Sequence, residues 1–341
     1  MEPHLIELPR RIVVGRGAIL EIEEVCDKLG IIGRPLVMFG PHTKQICIGK
    51  IQDMLDSMGA LIEIVREASL KEVRRIEKSK YEIECIISIG GGKVIDVGKM
   101  VAYDKGLPFI SVPTAPSHDG IASERVSLRN GMPYSLKAKT PLAIIADIDI
   151  LMNAPYRLIA SGAADIISNF TAINDWQLAR RHGEYYSDYA AALSILAAEM
   201  VTSSARLIRK RRERGIRNLI EALISSGIAI SLAGSSRPAS GSEHLFSHAL
   251  DMLGSKALHG EQCGVGTIIM AYLQGQEWKT IRDTLKAVGA PTNIYELGIE
   301  RDKLIKALLM ARDIRKRYTI LNTISMDKKS AIKICKEVGV L

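Results

Sequence analysis

The chain has 341 residues, 47% apolar and 25% charged, which is ordinary globular composition with enough length for two cores. A formal charge of +8 suits small anions, nucleic acid or a membrane surface, but the densest basic run, RLIRKRRERGIR at 206–217, lacks interleaved aromatics and reads as a solvated helix end, so no nucleic-acid partner is expected. No uninterrupted apolar run reaches about 18 residues, which argues against a membrane span, and the opening MEPHLIELPRRIVVG has no charged-then-apolar export pattern.

Short apolar runs alternate with amphipathic stretches over residues 1–153. RRIVVG (10–15), PLVMFG (35–40), LIEIV (61–65), CIISIG (85–90), PFISVPT (108–114) and LAIIAD (142–147) read as strands. Most are separated by helical patterns, such as 17–30, 43–59 and 70–84. This rhythm predicts an α/β domain with a mostly parallel, Rossmann-like sheet covered on both faces. The stretch 123–138 breaks it, and Asn130-Gly131 between two extended runs signals a hairpin. After NAP at 153–155 the strands stop. Helical patterns follow over 156–183, with Pro155 near the start, and over 188–210, 216–235 and 301–324. An all-α domain is therefore expected over 154–341.

Two loops after strands carry candidate chemistry. CIISIGGGKVIDVGK runs from a buried strand through Gly90, Gly91 and Gly92 into a helix. Without Cβ atoms the backbone can approach a ligand closely, and the helix N-terminus suits a pyrophosphate. An earlier partial G-x-G at Gly15 and Gly17 reads only as a strand–helix turn. SVPTAPSHDGIAS (111–123) follows the next strand and offers the hydroxyls of Thr114, Ser117 and Ser123. Ligands of open α/β sheets bind at the carboxyl ends of strands, where both loops fall.

Metal chemistry is suggested by SEHLFSHALDMLGSKALHGEQ (242–262). His244 and His248 are one helical turn apart, and spacing alone favours them plus a third ligand. The Glu of H-E-x-x-H is missing between them, and Glu243 points to another helix face. His259 is a ligand or a helix cap. Asp165, amid small and apolar residues, needs either a metal or an Arg such as Arg157. The five cysteines, Cys26, Cys47, Cys85, Cys263 and Cys335, lack C-x-x-C spacing and read as buried thiols of a cytoplasmic protein.

Taken together, the GRGA turn, GGGKVIDVGK, SVPTAPSHDGIAS, GAADIISN and SEHLFSHALD…LHGEQCGVG resemble the metal-dependent superfamily of glycerol dehydrogenases, iron-activated alcohol dehydrogenases and dehydroquinate synthase. The resemblance spans nearly the whole chain and is strongest to the sn-glycerol-1-phosphate dehydrogenase branch. It implies a 1–153 dinucleotide-binding domain and a 154–341 metal- and substrate-binding domain. It implies Zn²⁺ on Asp165, His244 and His259, with His248 and Asp119 facing substrate. NADPH or NADH would meet Gly90, Gly91, Gly92, Lys93, Val94, Ile95, Asp96, Thr114, Ala115, Pro116, Ser117 and Ser123. The implied reaction reduces dihydroxyacetone phosphate to sn-glycerol 1-phosphate, the backbone of archaeal-type ether phospholipids. The second strand ends VMFGPHTK, with no carboxylate to repel a 2′-phosphate and with His42 and Lys44 nearby, so NADPH is expected to be accepted beside NADH. An unphosphorylated-glycerol dehydrogenase is the alternative. A dehydroquinate-synthase-like lyase is disfavoured, because its lysine pattern is missing after SVPTAPSHD. Zinc against iron, a homo-oligomer and the phosphate ligands are left open.

Overall fold

The structure is a computed structural model that describes residues 6–79, 82–130 and 132–341. It divides into two compact units, Met1–Pro155 and Tyr156–Leu341. The strands are β1 Arg11–Gly15, β2 Pro35–Phe39, β3 Leu61–Ile64, β4 Cys85–Gly90, β5 Phe109–Pro113, β6 Arg125–Asn130, β7 Met132–Lys137 and β8 Ala143–Asp147. The helices of the first unit are α1 Ile22–Lys28, α2 Pro41–Ser57, α3 Leu70–Glu77, α4 Gly92–Asp104 and α5 Ile148–Met152.

One sheet runs β1-β8-β5-β4-β2-β3, with every pair parallel. Each of the six strands expected from the sequence forms, within one residue at either end. Side chains alternate across a strand, so each strand feeds two cores. Val37, Phe39, Ile87, Ile89, Ile110 and Val112 pack with α1 and α2. Leu36, Met38, Ile86 and Phe109 pack with α3 and α4. Burial of both faces is why these strands read as continuous apolar runs. The winding direction reverses between β2 and β4, so the strand ends at Phe39 and Gly90 flank a topological switch point. Strands β6 and β7 pair antiparallel as the expected hairpin; Gly131, the second residue of its turn signal, lies outside the described residues. At the GRGA turn Gly17 has φ 67°, a conformation that favours glycine, and a 3₁₀ turn rather than a phosphate loop follows.

The second unit holds α6 Tyr156–Ile167, α7 Asn169–Arg180, α8 Asp188–Arg209, α9 Glu213–Ala233, α10 Ser242–Met252, α11 His259–Leu273, α12 Trp278–Val288, α13 Ile294–Leu297, α14 Arg301–Met310 and α15 Lys328–Glu337. Two sequence readings need correction. The helix expected over 156–183 is interrupted at Ser168, whose hydroxyl donates to the Asp165 carbonyl at 2.6 Å and competes with the helical ladder. The pattern over 301–324 is α-helical only to Met310, with 3₁₀ turns at Ala311–Asp313 and Ile320–Asn322 beyond it; the Ile320 N–H donates to Asp175 Oδ1 at 2.7 Å. The basic run spans the turn between α8 and α9, where Arg209 and Arg211 lie over the Tyr156 ring. By length and hydropathy α8 and α9 could each cross a membrane, although neither holds a long uninterrupted apolar run. They pack along each other, and 44% and 67% of their apolar windows are buried. That is the pattern of core helices, whose apolar faces turn inward.

A buried lysine orders the rim loop of the first unit. Lys99 Nζ donates to the carbonyls of Gly120, Ser123 and Arg125, the last two at 2.7 and 2.9 Å. Three acceptors match the three N–H bonds of an ammonium. Burial pulls Lys99 below its ordinary pKa, opposed by the charges of Asp96 and Asp119. Lys99→Met leaves three carbonyls without their donor. The expected result is a loss of about 3 kcal/mol, typical of a broken buried charge site, with faster amide exchange over 118–125. Unchanged exchange there would assign the ordering to other contacts.

Candidate functional site

The second unit gathers Asp165 on α6, His244 on α10, and His259 and Cys263 on α11, with one donor atom from each lying within 4.8 Å of the others. Asp165 Oδ1 stands 3.7 Å from Nε2 of His244 and 3.7 Å from Nε2 of His259. Oxygen and nitrogen ligands about 2.1 Å from a tetrahedral ion are roughly 3.4 Å apart. A contraction of a few tenths of an ångström would therefore seat an ion, and the donor set fits zinc.

Each imidazole is turned by a partner on its other nitrogen. His244 Nδ1 lies 2.9 Å from Glu243 Oε1, and the Glu243 carboxylate is itself held by the Gly241 N–H and the Thr171 hydroxyl. Glu243 thus does not simply face away, as its helix position implied: its side chain folds back onto the neighbouring ring. A carboxylate on Nδ1–H leaves Nε2 as the ligand nitrogen. The Ser247 hydroxyl donates to Gln262 Oε1 at 2.9 Å, so its oxygen can accept from His259 Nδ1 at 3.2 Å. Burial, reinforced by the charges of His259, Arg315 and Arg317, holds His244 well below the usual imidazole range. It is therefore in the neutral form that binds metals.

His248 lies outside the donor group. Its ring centroid is 6.5 Å from that of His244 and 6.0 Å from that of His259, whereas His244 and His259 are 4.8 Å apart. The i, i+4 pair read from spacing is thus split: His244 Nε2 stands beside Asp165 on α6, and His248 is not in that donor group. Arg157 is not the partner of Asp165. It forms a two-pronged bridge to Glu261 at 2.6 and 2.7 Å, tying the first turn of α6 to the first turn of α11.

In the first unit the glycine loop opens α4 with Gly91 as N-cap and no acidic residue in the first turn. Gly91 and Gly92 are half-exposed and Lys93 exposed, whereas Val94, Ile95 and Asp96 are buried. Asp96 accepts from the Ser127 N–H at 3.0 Å, and Lys93 donates to the Arg66 carbonyl. Thr114, Ala115 and Pro116 are buried, while Ser117 and Asp119 are half-exposed. Ser123 is fully buried and its Oγ accepts from the Arg125 N–H. Among the expected dinucleotide residues, the side chains of Val94, Ile95, Asp96 and Ser123 therefore shape the rim from below rather than line it.

Sequence reasoning missed His118. Its Nδ1 accepts from the Gly120 N–H at 2.9 Å, so the hydrogen sits on Nε2. A Cβ at Gly92 would lie 2.0 Å from that Nε2, so the ring rests against the glycine loop and would have to turn away from any side chain at position 92. No sequence signal marks this contact, which joins two loops. Cys263 was also passed over as a metal-site residue, although His259 and Cys263 share the i, i+4 spacing that drew attention to His244 and His248.

A family model described as iron-containing alcohol dehydrogenase matches residues 13–155. Glycerol dehydrogenase from Schizosaccharomyces pombe superposes with TM-score 0.82 at 21% identity, over 99% of this chain and 91% of that one, and shares the fold. The glycerol-1-phosphate dehydrogenase [NAD(P)+] of Thermococcus kodakarensis is 51% identical over 99% of both chains, and that of Methanothermobacter thermautotrophicus 50% identical over the full length of both. The chain belongs to the glycerol-1-phosphate dehydrogenase family.

The contact of α6 with α11 sets the donor spacing. A Cβ on Gly260 would lie 1.9 Å from the Ser161 carbonyl oxygen, so only glycine lets α11 approach this closely. Gly260→Ala is expected to push α11 off α6 and lower zinc affinity on the order of 10- to 100-fold, as displaced ligand supports do. A chelator-competition titration reads this directly; unchanged affinity would remove Gly260 from the positioning of the site.

Proposed function

We propose that the protein reduces dihydroxyacetone phosphate to sn-glycerol 1-phosphate with NADPH or NADH, in the cytoplasm, for ether-lipid synthesis. The observation that carries this is full-length relationship, at about half identity, to proteins named for that activity. Five free, buried thiols suit a reducing compartment.

Asp165, His244 and His259 would hold zinc, and the pyrophosphate of the nicotinamide dinucleotide would lie at the glycine loop. When bound, zinc supplies Lewis acidity to the ketone oxygen and the dinucleotide supplies the hydride. The chain's own residues orient and exclude. The half-exposed Gly91 and Gly92 at the start of α4 meet the pyrophosphate, and His118 Nε2–H is aimed at the same loop. His42 and Lys44 lie in the first turn of α2, which has no acidic residue, so a 2′-phosphate meets no repelling carboxylate. Within the second unit His248 would contact a substrate hydroxyl, and the family resemblance gives Asp119 of the first unit a substrate-facing role as well. Burial keeps His248 below the usual imidazole pKa, and the charges of His259 and Arg315 add to this. It enters turnover as a neutral imidazole. Arg315 and Arg317 place positive charge near both His244 and His248, which suits a substrate phosphate.

Zinc-loaded enzyme is expected to oxidise NADPH with dihydroxyacetone phosphate and far more slowly with dihydroxyacetone. Chelation should stop the reaction and zinc restore it. An enzyme specific for sn-glycerol 3-phosphate should refuse the product; its oxidation by that enzyme would sink the stereochemical assignment. His259→Ala is expected to lose both metal and activity, and His248→Ala to keep the metal with altered KM or kcat. Metal contents in the reverse order would overturn the ligand assignment. Arg315→Ala is expected to raise KM for the phosphorylated ketone about tenfold, the worth of one charge-assisted hydrogen bond, and to leave dihydroxyacetone turnover unchanged. Equal effects on both ketones would remove Arg315 from phosphate recognition.

A further inference from the structure

The geometry points to Cys263 as a fourth protein ligand of the metal centre. This rests on the reading of Asp165, His244 and His259 as metal ligands and adds a residue of different chemistry to them. Cys263 is fully buried on α11, one turn beyond His259, so both side chains leave the same helix face. Its Sγ is 3.6 Å from His259 Nε2. In a tetrahedral zinc site with S at about 2.3 Å and N at about 2.1 Å, that separation is roughly 3.6 Å. The widest gap among the four donor atoms is 4.8 Å, so closing the set needs a movement of about 1 Å, within the reach of side-chain rotation.

On loading, the S–H bond breaks, the proton leaves to solvent, and a sulfur–metal bond forms. No oxidant or reductant is involved. A thiolate at this position has two consequences. It selects a borderline-soft ion such as zinc over the harder ferrous ion. It also completes a four-ligand shell in the resting enzyme, whereas catalytic zinc sites usually keep one position open. Substrate must then compete with Cys263 for the ion.

Cobalt(II) in place of zinc tests this on the full chain. Visible d–d bands report a metal seated on the Asp and His donors. A near-ultraviolet thiolate-to-cobalt charge-transfer band reports sulfur. The wild type is expected to show both, and Cys263→Ser and Cys263→Ala to keep the visible bands and lose the charge-transfer band. Zinc affinity by chelator competition should fall about tenfold or more in both variants, at least the loss seen when a ligand's support is removed. Visible bands without charge transfer in the wild type, or a charge-transfer band that survives both substitutions, would overturn the assignment of Cys263 and leave the metal site standing. No visible bands at all would overturn the metal reading, and this proposal with it. Because the wild-type spectrum alone separates these outcomes, the test holds even if a variant fails to fold.

Discussion

A carboxylate carried into the middle of a helical core must be met by positive charge or by a dense set of donors. Asp165 is that carboxylate, and much of the second unit is arranged around it. It is flanked by Nε2 of two imidazoles at equal distance, and His244 is held neutral by burial. A neutral His244 offers a lone pair rather than compensating charge. The whole arrangement of carboxylate and imidazoles suits a divalent cation.

Support for that geometry comes from residues outside the donor group. Glu243 and Ser247 turn the two rings. The Arg157–Glu261 bridge and the close approach at Gly260 fix α6 against α11. Arg317, half-buried, donates to the Ser240 carbonyl and to Ser236 Oγ, and so braces the chain just before α10. Each interaction is modest alone, but together they leave the ligand nitrogens little freedom, which is what an ion site requires.

In the first unit the equivalent constraint is Lys99. One ammonium inside the α/β core collects the carbonyls of the loop that bears His118 and Asp119. Loop order at the strand ends therefore rests on a charge that the sequence displays only as one more lysine after a glycine-rich turn. The contact of His118 with Gly92 couples this loop to the glycine loop. The glycine thus leaves room for a side chain from the neighbouring loop.

Most of the architecture was legible in the sequence, because burial on both faces writes a parallel strand as an apolar run and a helix as a 3.6-residue period. The six sheet strands, the hairpin and the change to helices are all local signals of this kind. Helix ends were less legible at Ser168 and after Met310, where a hydroxyl or a distant carboxylate captures backbone groups. In the metal region, spacing alone singled out α10 and paired His244 with His248, whereas the fold gathers His244 with Asp165, His259 and Cys263, three of which the family pattern implied. Periodicity records which face a residue occupies but not what lies opposite that face. Tertiary structure alone decided that His244 joins Asp165 in the donor group and His248 does not, that Arg157 belongs to Glu261, and that a buried thiol stands within ligand distance of His259. The physical reason is the same in each case: a local pattern sets a side chain's direction, and only packing between helices distant in sequence sets what it reaches.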